Sequence, residues 1–129
     1  FLDWLRERFQ LVILSDTFYE FSQPLMRQLG WPTLLCHRLE IADDGRVTDY
    51  HLRQKDPKRC AVKAFHDLNY RVIAAGDSYN DTTMLAEADA GILFKAPANV
   101  IEEFSQFPAV REYAELQREF CKASVRDIT

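Results

Sequence analysis

Three short, continuously apolar runs set the strongest limit on how this chain can fold. They lie at residues 11–14 (LVIL), 72–75 (VIAA) and 91–94 (GILF), and none alternates apolar with polar residues. Such runs are typical of strands covered on both faces, and the segments between them carry apolar residues at helical spacing. Helices that alternate with buried strands indicate an α/β protein with a doubly wound, Rossmann-like parallel sheet.

The size and composition favour one ordinary globular domain that covers residues 1–129. The 129 residues are 47% hydrophobic and 28% charged, which excludes disordered and low-complexity classes. No apolar run approaches the roughly 18 residues that a membrane-spanning helix needs. The net charge of −4 gives no overall attraction to nucleic acid or to an anionic membrane, so we expect neither as a partner.

Turn and capping signals divide the rest of the chain into a hairpin and several helices. Asp-Gly at residues 44–45 separates two strand-like runs, which predicts a β-hairpin flap over about residues 33–53. Apolar spacing and end signals predict helices at residues 18–29, 57–68, 82–88, 100–104 and 113–122.

The cysteines and the first residues bear on cellular context and on completeness. Cys36, Cys60 and Cys121 are odd in number and lack paired or metal-like spacing, so we expect free thiols in a reducing cytoplasm. The chain begins without methionine, in the middle of an amphipathic pattern, and we interpret it as a fragment that lacks its N-terminus.

Two predicted strands run directly into polar clusters. Ser15-Asp16-Thr17 follows the first strand, and residues 76–81 (GDSYND) follow the second. Ligands of open α/β sheets bind beyond the carboxyl ends of the strands, although these side chains can also serve as ordinary helix caps. The second cluster holds two carboxylates, an amide and a hydroxyl, and such oxygen donors suit Mg²⁺.

Lys58 supplies the positive charge for a site of this kind. It lies in the first turn of a predicted helix, where the helix dipole disfavours cations, so we expect a negative group nearby. A solvated surface lysine is the alternative. With a bound phosphate, Ser15 would donate a hydrogen bond, Lys58 would neutralise charge, Asp77 would hold the metal and Asn80 would orient an oxygen. This combination predicts a phosphoryl-transfer site.

In this order, residues 14–17 (LSDT), Lys58 and residues 76–81 resemble the second, third and fourth motifs of the haloacid dehalogenase superfamily. The hairpin lies where phosphoserine phosphatases carry a similar one. Within the superfamily, the chain is most similar to the bacterial phosphoserine phosphatase and homoserine phosphotransferase subgroup. The resemblance covers essentially the whole chain and implies a phosphatase of the haloacid dehalogenase type.

The resemblance also implies roles for individual residues at the phosphate. Ser15 and the backbone of Asp16 would bind the phosphate, and Lys58 would stabilise the charge of the phosphoryl group. Many phosphoserine phosphatases have Gly-Gly after the serine, where this chain has Asp16-Thr17.

At the fourth motif, Asp77 would ligate Mg²⁺ and Asn80 would contact the substrate. Asp81 would position Lys58 or a water on the metal. The family pattern often has Gly-Ala where this chain has Ser78-Tyr79.

The first motif of the family, Asp-x-Asp or Asp-x-Glu at the end of the first strand, is absent from this sequence. That first aspartate is the nucleophile, which forms an aspartyl-phosphate. By resemblance we expect it roughly 60–80 residues upstream of Phe1, on a strand that belongs between the strands ending near Ser15 and Gly76. The chain alone is therefore predicted to be inactive, with an open seam in its sheet.

Three hypotheses about function remain open from the sequence. The first is a Mg²⁺-dependent phosphatase that acts on a small phosphorylated amino acid such as phosphoserine, in serine biosynthesis. The second is a phosphotransferase in which homoserine replaces water as the acceptor. The third is a non-catalytic module that binds phosphate or metal. A homo-oligomer is compatible with each of them.

Overall fold

The computed structural model describes residues 1–127, which form an α/β structure in two compact units. Residues 2–57 form the N-terminal unit, and residues from 58 onward form the C-terminal unit together with Phe1. The proposal that residues 1–129 belong to one core domain stays a prediction, and its last two residues lie outside the described part. Over the described residues, no helix is both long and apolar enough to cross a membrane.

The N-terminal unit contains a three-stranded sheet with the predicted hairpin at one side. Its elements are α1 (Leu2–Arg6), β1 (Val12–Phe18), α2 (Tyr19–Gln28), β2 (Thr33–Ile41) and β3 (Val47–His51). The strand order is β1-β2-β3, with β1 parallel and β3 antiparallel to β2. The hairpin predicted from the Asp-Gly turn is confirmed.

Strand β1 is longer than the apolar run that predicted it. The sequence indicated a strand that ends after Leu14, whereas β1 continues through Ser15, Asp16 and Thr17 to Phe18. The register against β2 shifts between Leu14 and Phe18. Backbone pairing does not require apolar side chains, so the change to polar residues marked the start of the irregular register and not the end of the strand.

The C-terminal unit contains a parallel sheet covered by helices. Its elements are α3 (Pro57–Asp67), β4 (Ile73–Gly76), a 3₁₀ turn (Tyr79–Asp81), α4 (Thr82–Glu87), β5 (Ala90–Phe94), α5 (Ala98–Glu103), β6 (Ala109–Val110) and α6 (Tyr113–Ala123). The strand order is β4-β5-β6, and both pairings are parallel. Strand β6 was not predicted, because two residues are too few to show a strand pattern.

The core of the C-terminal unit holds β4 and β5 in place. Its most deeply buried large side chains are Val62, Leu85, Ile92 and Leu93, each at most 2% exposed. Each such burial contributes roughly 1.5–3 kcal/mol relative to exposure. Gly91 allows α4 to approach β5, since a Cβ there would lie 2.6 Å from the Leu85 carbonyl oxygen. This packing supports the turn that leaves the carboxyl end of β4.

The predicted fold class, α/β with parallel strands and a hairpin flap, is confirmed. Among the described residues, β1 pairs with β2 alone and β4 pairs with β5 alone, so each is an edge strand of its own sheet. A further strand between them, expected from the family resemblance, stays a prediction.

Candidate active site

The turn after β4 is organised around one buried carboxylate. Oδ2 of Asp81 accepts hydrogen bonds from the backbone N–H groups of Asp77 and Ser78, at 3.0 and 3.1 Å. It also accepts one from the Ser78 hydroxyl at 3.2 Å. Three donors on one oxygen hold residues 77–81 in a defined conformation, and Asp81 is therefore a structural part of the turn as well as a candidate site residue.

Gly76 makes this arrangement possible by having no side chain. A Cβ at position 76 would lie 2.6 Å from both Cβ and Oδ2 of Asp81. That distance is well inside ordinary van der Waals contact, so any larger residue would displace the Asp81 side chain. The close approach of β4 to the turn therefore requires glycine at this position.

Lys58 and Asp81 form a largely buried ion pair. Nζ of Lys58 lies 2.7 Å from Oδ1 of Asp81, and the two side chains are 13% and 8% exposed. Asp81 is thus a negative group of the kind expected near a lysine in the first turn of a helix. The structure brings together two residues that the sequence placed in one site.

Burial and pairing act in opposite directions on Asp81. Burial acts to raise the pKa of its carboxyl, whereas the hydrogen bond and charge of Lys58, together with the N–H groups of Ser78 and Asp77, lower it. The lowering contributions prevail, and the pKa of Asp81 lies below its usual range. Asp81 is therefore ionised at neutral pH and holds a charged Lys58.

Asp77 and Asn80 are exposed on the same turn, at the carboxyl end of β4. Their side chains offer a carboxylate and an amide oxygen, which are hard donors of the kind that Mg²⁺ prefers. The donor chemistry of the turn therefore fits Mg²⁺. The individual roles of Asp77 and Asn80 stay predictions.

Ser15 and Asp16 lie on β1, in the N-terminal unit. The Ser15 hydroxyl oxygen accepts a hydrogen bond from the backbone N–H of Thr17 at 3.2 Å, and its own hydrogen can still be donated to a ligand. Asp16 is exposed, and its Oδ1 lies 3.6 Å from Nε2 of His37. The phosphate-binding roles of Ser15 and Asp16 stay predictions.

Sequence reasoning gave His37 no role near the site, yet it is the buried neighbour of Asp16. Its Nδ1 accepts a hydrogen bond from the backbone N–H of Arg53 at 3.1 Å, which ties β2 to the segment after β3. His37 lies on β2 and Asp16 on β1, so only the pairing of these strands brings them together. No local sequence pattern carries this signal.

A second group of possible metal ligands lies on the hairpin and contains none of the predicted site residues. Ligand atoms of Glu40, Asp49 and His51 lie within 4.8 Å of one another, and all three side chains are exposed. Glu40 and Asp49 are cross-strand partners, so only the register of the hairpin places them together. This group does not include Asp77.

The sequence of the chain matches a described protein family over most of its length. Residues 1–89 match the haloacid dehalogenase-like hydrolase family of hydrolases. The chain belongs to this family. The predicted family resemblance is confirmed, and the match includes both polar clusters and Lys58.

Two relatives within the haloacid dehalogenase-like hydrolases carry similar names. Phosphoserine phosphatase ThrH of Pseudomonas aeruginosa is 75% identical over 129 residues, which is 100% of this chain and 63% of the relative. A phosphoserine phosphatase of Pseudomonas syringae pv. tomato is 73% identical over 128 residues, which is 99% of this chain and 54% of that protein. The chain thus spans less than two thirds of either relative.

A solved structure supports the haloacid dehalogenase fold. The phospho-aspartyl intermediate analogue of a phosphoserine phosphatase superposes with a TM-score of 0.72 at 19% identity. The match covers 91% of this chain and 59% of that one. At this identity the likeness shows the fold and not the substrate.

Proposed function

We propose that the complete protein containing this chain is a Mg²⁺-dependent phosphatase that hydrolyses O-phosphoserine to serine and phosphate. The observation that carries the proposal is the largely buried Lys58–Asp81 pair, which connects Lys58 on α3 to the turn that carries the exposed Asp77 and Asn80. The named relatives, which are at least 73% identical to this chain, support phosphoserine as the substrate.

The residues of the C-terminal unit would act on the phosphoryl group. Lys58, kept ionised and oriented by Asp81, would offset the charge of the phosphoryl oxygens as it shifts in the transition state. Asp77 would hold Mg²⁺, which when bound supplies further positive charge at those oxygens. Asn80 would donate its amide N–H to the substrate and limit its rotation.

In the N-terminal unit, residues of β1 would bind the phosphate. Ser15 would donate its hydroxyl hydrogen to a phosphoryl oxygen, and Asp16 would contribute its backbone N–H. Hydrogen bonds to an ionised acceptor are about twice as strong as those between neutral groups. The Ser15 hydroxyl and the Asp16 amide would therefore each bind the phosphate more strongly than they would bind a neutral acceptor.

The nucleophile would be an aspartate outside this chain. Its carboxylate would attack the phosphorus as the P–O bond to serine breaks, and the second acid of the same motif would protonate the serine oxygen. Water would then hydrolyse the aspartyl-phosphate. A structurally similar phosphoserine phosphatase has been solved as a phospho-aspartyl intermediate analogue, which supports this route. The reaction would form serine in the cytoplasm and would belong to serine biosynthesis.

The test is an assay of the complete gene product with phosphoserine. We expect phosphate release that requires Mg²⁺, and an Asp-x-Asp or Asp-x-Glu sequence after an apolar strand upstream of Phe1. Formation of phosphohomoserine when homoserine is added would identify a phosphotransferase instead. If the complete reading frame lacks the motif and the protein is inactive, the hypothesis of a non-catalytic module that binds phosphate or metal is favoured.

The 129-residue chain by itself provides a second comparison. We expect it to release no phosphate, because it contains no Asp-x-Asp or Asp-x-Glu motif. Rapid turnover by the purified chain would show that the nucleophile lies within it, and Asp16 would be the first residue to test.

A further inference from the structure

Tyr79 is an exposed aromatic side chain on the same turn as Asp77 and Asn80. It is 58% exposed, and its ring packs edge-on against Phe104 with the ring centroids 5.5 Å apart. Phe104 in turn stacks on Phe107. The backbone of Tyr79 is also held, because its carbonyl accepts a hydrogen bond from the Thr82 hydroxyl at 2.7 Å. The ring is thus fixed on one side and open to solvent on the other.

The charged residues in the two chain segments that carry Tyr79 and Phe104 are all acidic. Residues 76–81 and 98–107 contain four carboxylates and no lysine, arginine or histidine. A tyrosine ring face carries negative charge density and attracts ammonium groups that lie within about 6 Å. Because Asp81 is paired with Lys58, the other three carboxylates of these segments are the groups that would attract a substrate ammonium.

We infer that Tyr79 is a specificity-determining residue that receives the α-ammonium group of the amino-acid substrate on its ring face. The inference rests on the proposed function and adds the part of the substrate that Tyr79 recognises. Phe104 is then a positioning residue, since it contacts the ring and acts only through it. In this assignment Lys58 and Asp77 act on the phosphoryl group, and Tyr79 acts on the ammonium group.

The test compares two substrates of the complete protein that differ at the ammonium group. Phosphoserine carries it, and 3-phosphooxypropanoate has the same carbon chain, carboxylate and phosphate without it. For Tyr79→Leu we expect the ratio of kcat/KM for phosphoserine to that for 3-phosphooxypropanoate to fall about threefold to thirtyfold, mainly through KM. Tyr79→Phe keeps the ring face and should keep the ratio. Phe104→Leu should lower it less than Tyr79→Leu.

Tyr70→Leu is the matched control. Tyr70 is 50% exposed and packs edge-on against Phe65 with centroids 6.3 Å apart, so it resembles Tyr79 in exposure and packing but lies after α3. This variant should leave the ratio unchanged. Thermal unfolding of Tyr79→Leu and Tyr70→Leu measures how much stability each protein loses through the substitution itself.

A ratio that changes by less than about threefold in Tyr79→Leu overturns the inference, as does a Tyr79→Phe variant that loses as much as Tyr79→Leu. Binding calorimetry with the same two compounds separates this result from a failure of the proposed function. A wild-type protein that neither binds nor hydrolyses phosphoserine overturns both proposals. A wild type that hydrolyses phosphoserine, with an unchanged ratio in the variant, overturns only the role of Tyr79.

Discussion

The side chains of Lys58 and Asp81 meet at 2.7 Å across 23 positions of the sequence. Asp81 divides its two oxygens between two tasks, since Oδ1 binds the lysine on α3 and Oδ2 binds the turn after β4. One carboxylate thus couples the proposed phosphoryl-binding cation to the turn that carries the proposed metal ligand. A change at Asp81 will therefore affect both the stability of the turn and the charge at the site.

Asp81→Asn should lower the free energy of unfolding by about 1–3 kcal/mol at neutral pH, because a buried hydrogen-bonded charge is lost. The pKa of Asp81 is below its usual value of 3.8 in the folded protein, so its ionised form favours folding. This contribution is fully present above that usual value and is lost as the pH falls through the lowered pKa.

Urea unfolding of wild type and Asp81→Asn at several pH values between 7 and 3 checks this. The difference between the two proteins should be largest near neutrality and should shrink below about pH 4. Asp67→Asn, at an exposed position of α3, should change little at any pH. If the loss of unfolding free energy in Asp81→Asn stays constant with pH, the lowered pKa of Asp81 is not its cause.

Lys58→Ala should lower kcat/KM for phosphoserine by roughly 10²–10³-fold, because the group that offsets transition-state charge is lost. The affinity for Mg²⁺ should stay nearly unchanged, since the metal is assigned to Asp77. Steady-state kinetics with a Mg²⁺ titration measure both quantities. Lys63→Ala, on an exposed position of the same helix, is the control. An unchanged kcat/KM in Lys58→Ala would show that Lys58 has only a structural role.

Asp77→Asn should abolish phosphate release at ordinary Mg²⁺ concentrations. Mg²⁺ takes only one or two protein carboxylates, so the loss of one removes much of its binding. Because Asp77 is exposed, the folded protein should keep its stability, which thermal unfolding can show. Full turnover at low Mg²⁺ in this variant would disprove the role of Asp77.

Gly76→Ala should reduce both stability and activity, because the new methyl group would lie 2.6 Å from the Asp81 side chain. Gly91→Ala is a matched comparison, since its methyl group would meet the Leu85 carbonyl at the same distance, away from the Lys58–Asp81 pair. We expect both variants to unfold at lower temperature. The fraction that remains folded should lose kcat only in Gly76→Ala; equal kcat losses in both would count against the link between Gly76 and catalysis.

Much of the architecture was readable from local patterns. The apolar runs gave the positions of β1, β4 and β5 within a few residues, and the Asp-Gly turn gave the hairpin. The end of β1 and the existence of β6 were not readable, because both depend on backbone pairing with a neighbouring strand. Side-chain polarity carries no information about such pairing.

Residue types and their positions in the chain were enough to select the candidates for the site. Oxygen donors after β4 and a lysine in the first turn of α3 can be recognised without knowledge of the packing. The folded structure was needed to show that Lys58 pairs with Asp81, that position 76 has no space for a side chain, and that the Tyr79 ring packs against Phe104. Each of these contacts joins two different secondary-structure elements or their ends. Their distance is set by how helices and strands pack, and local sequence preferences do not encode it.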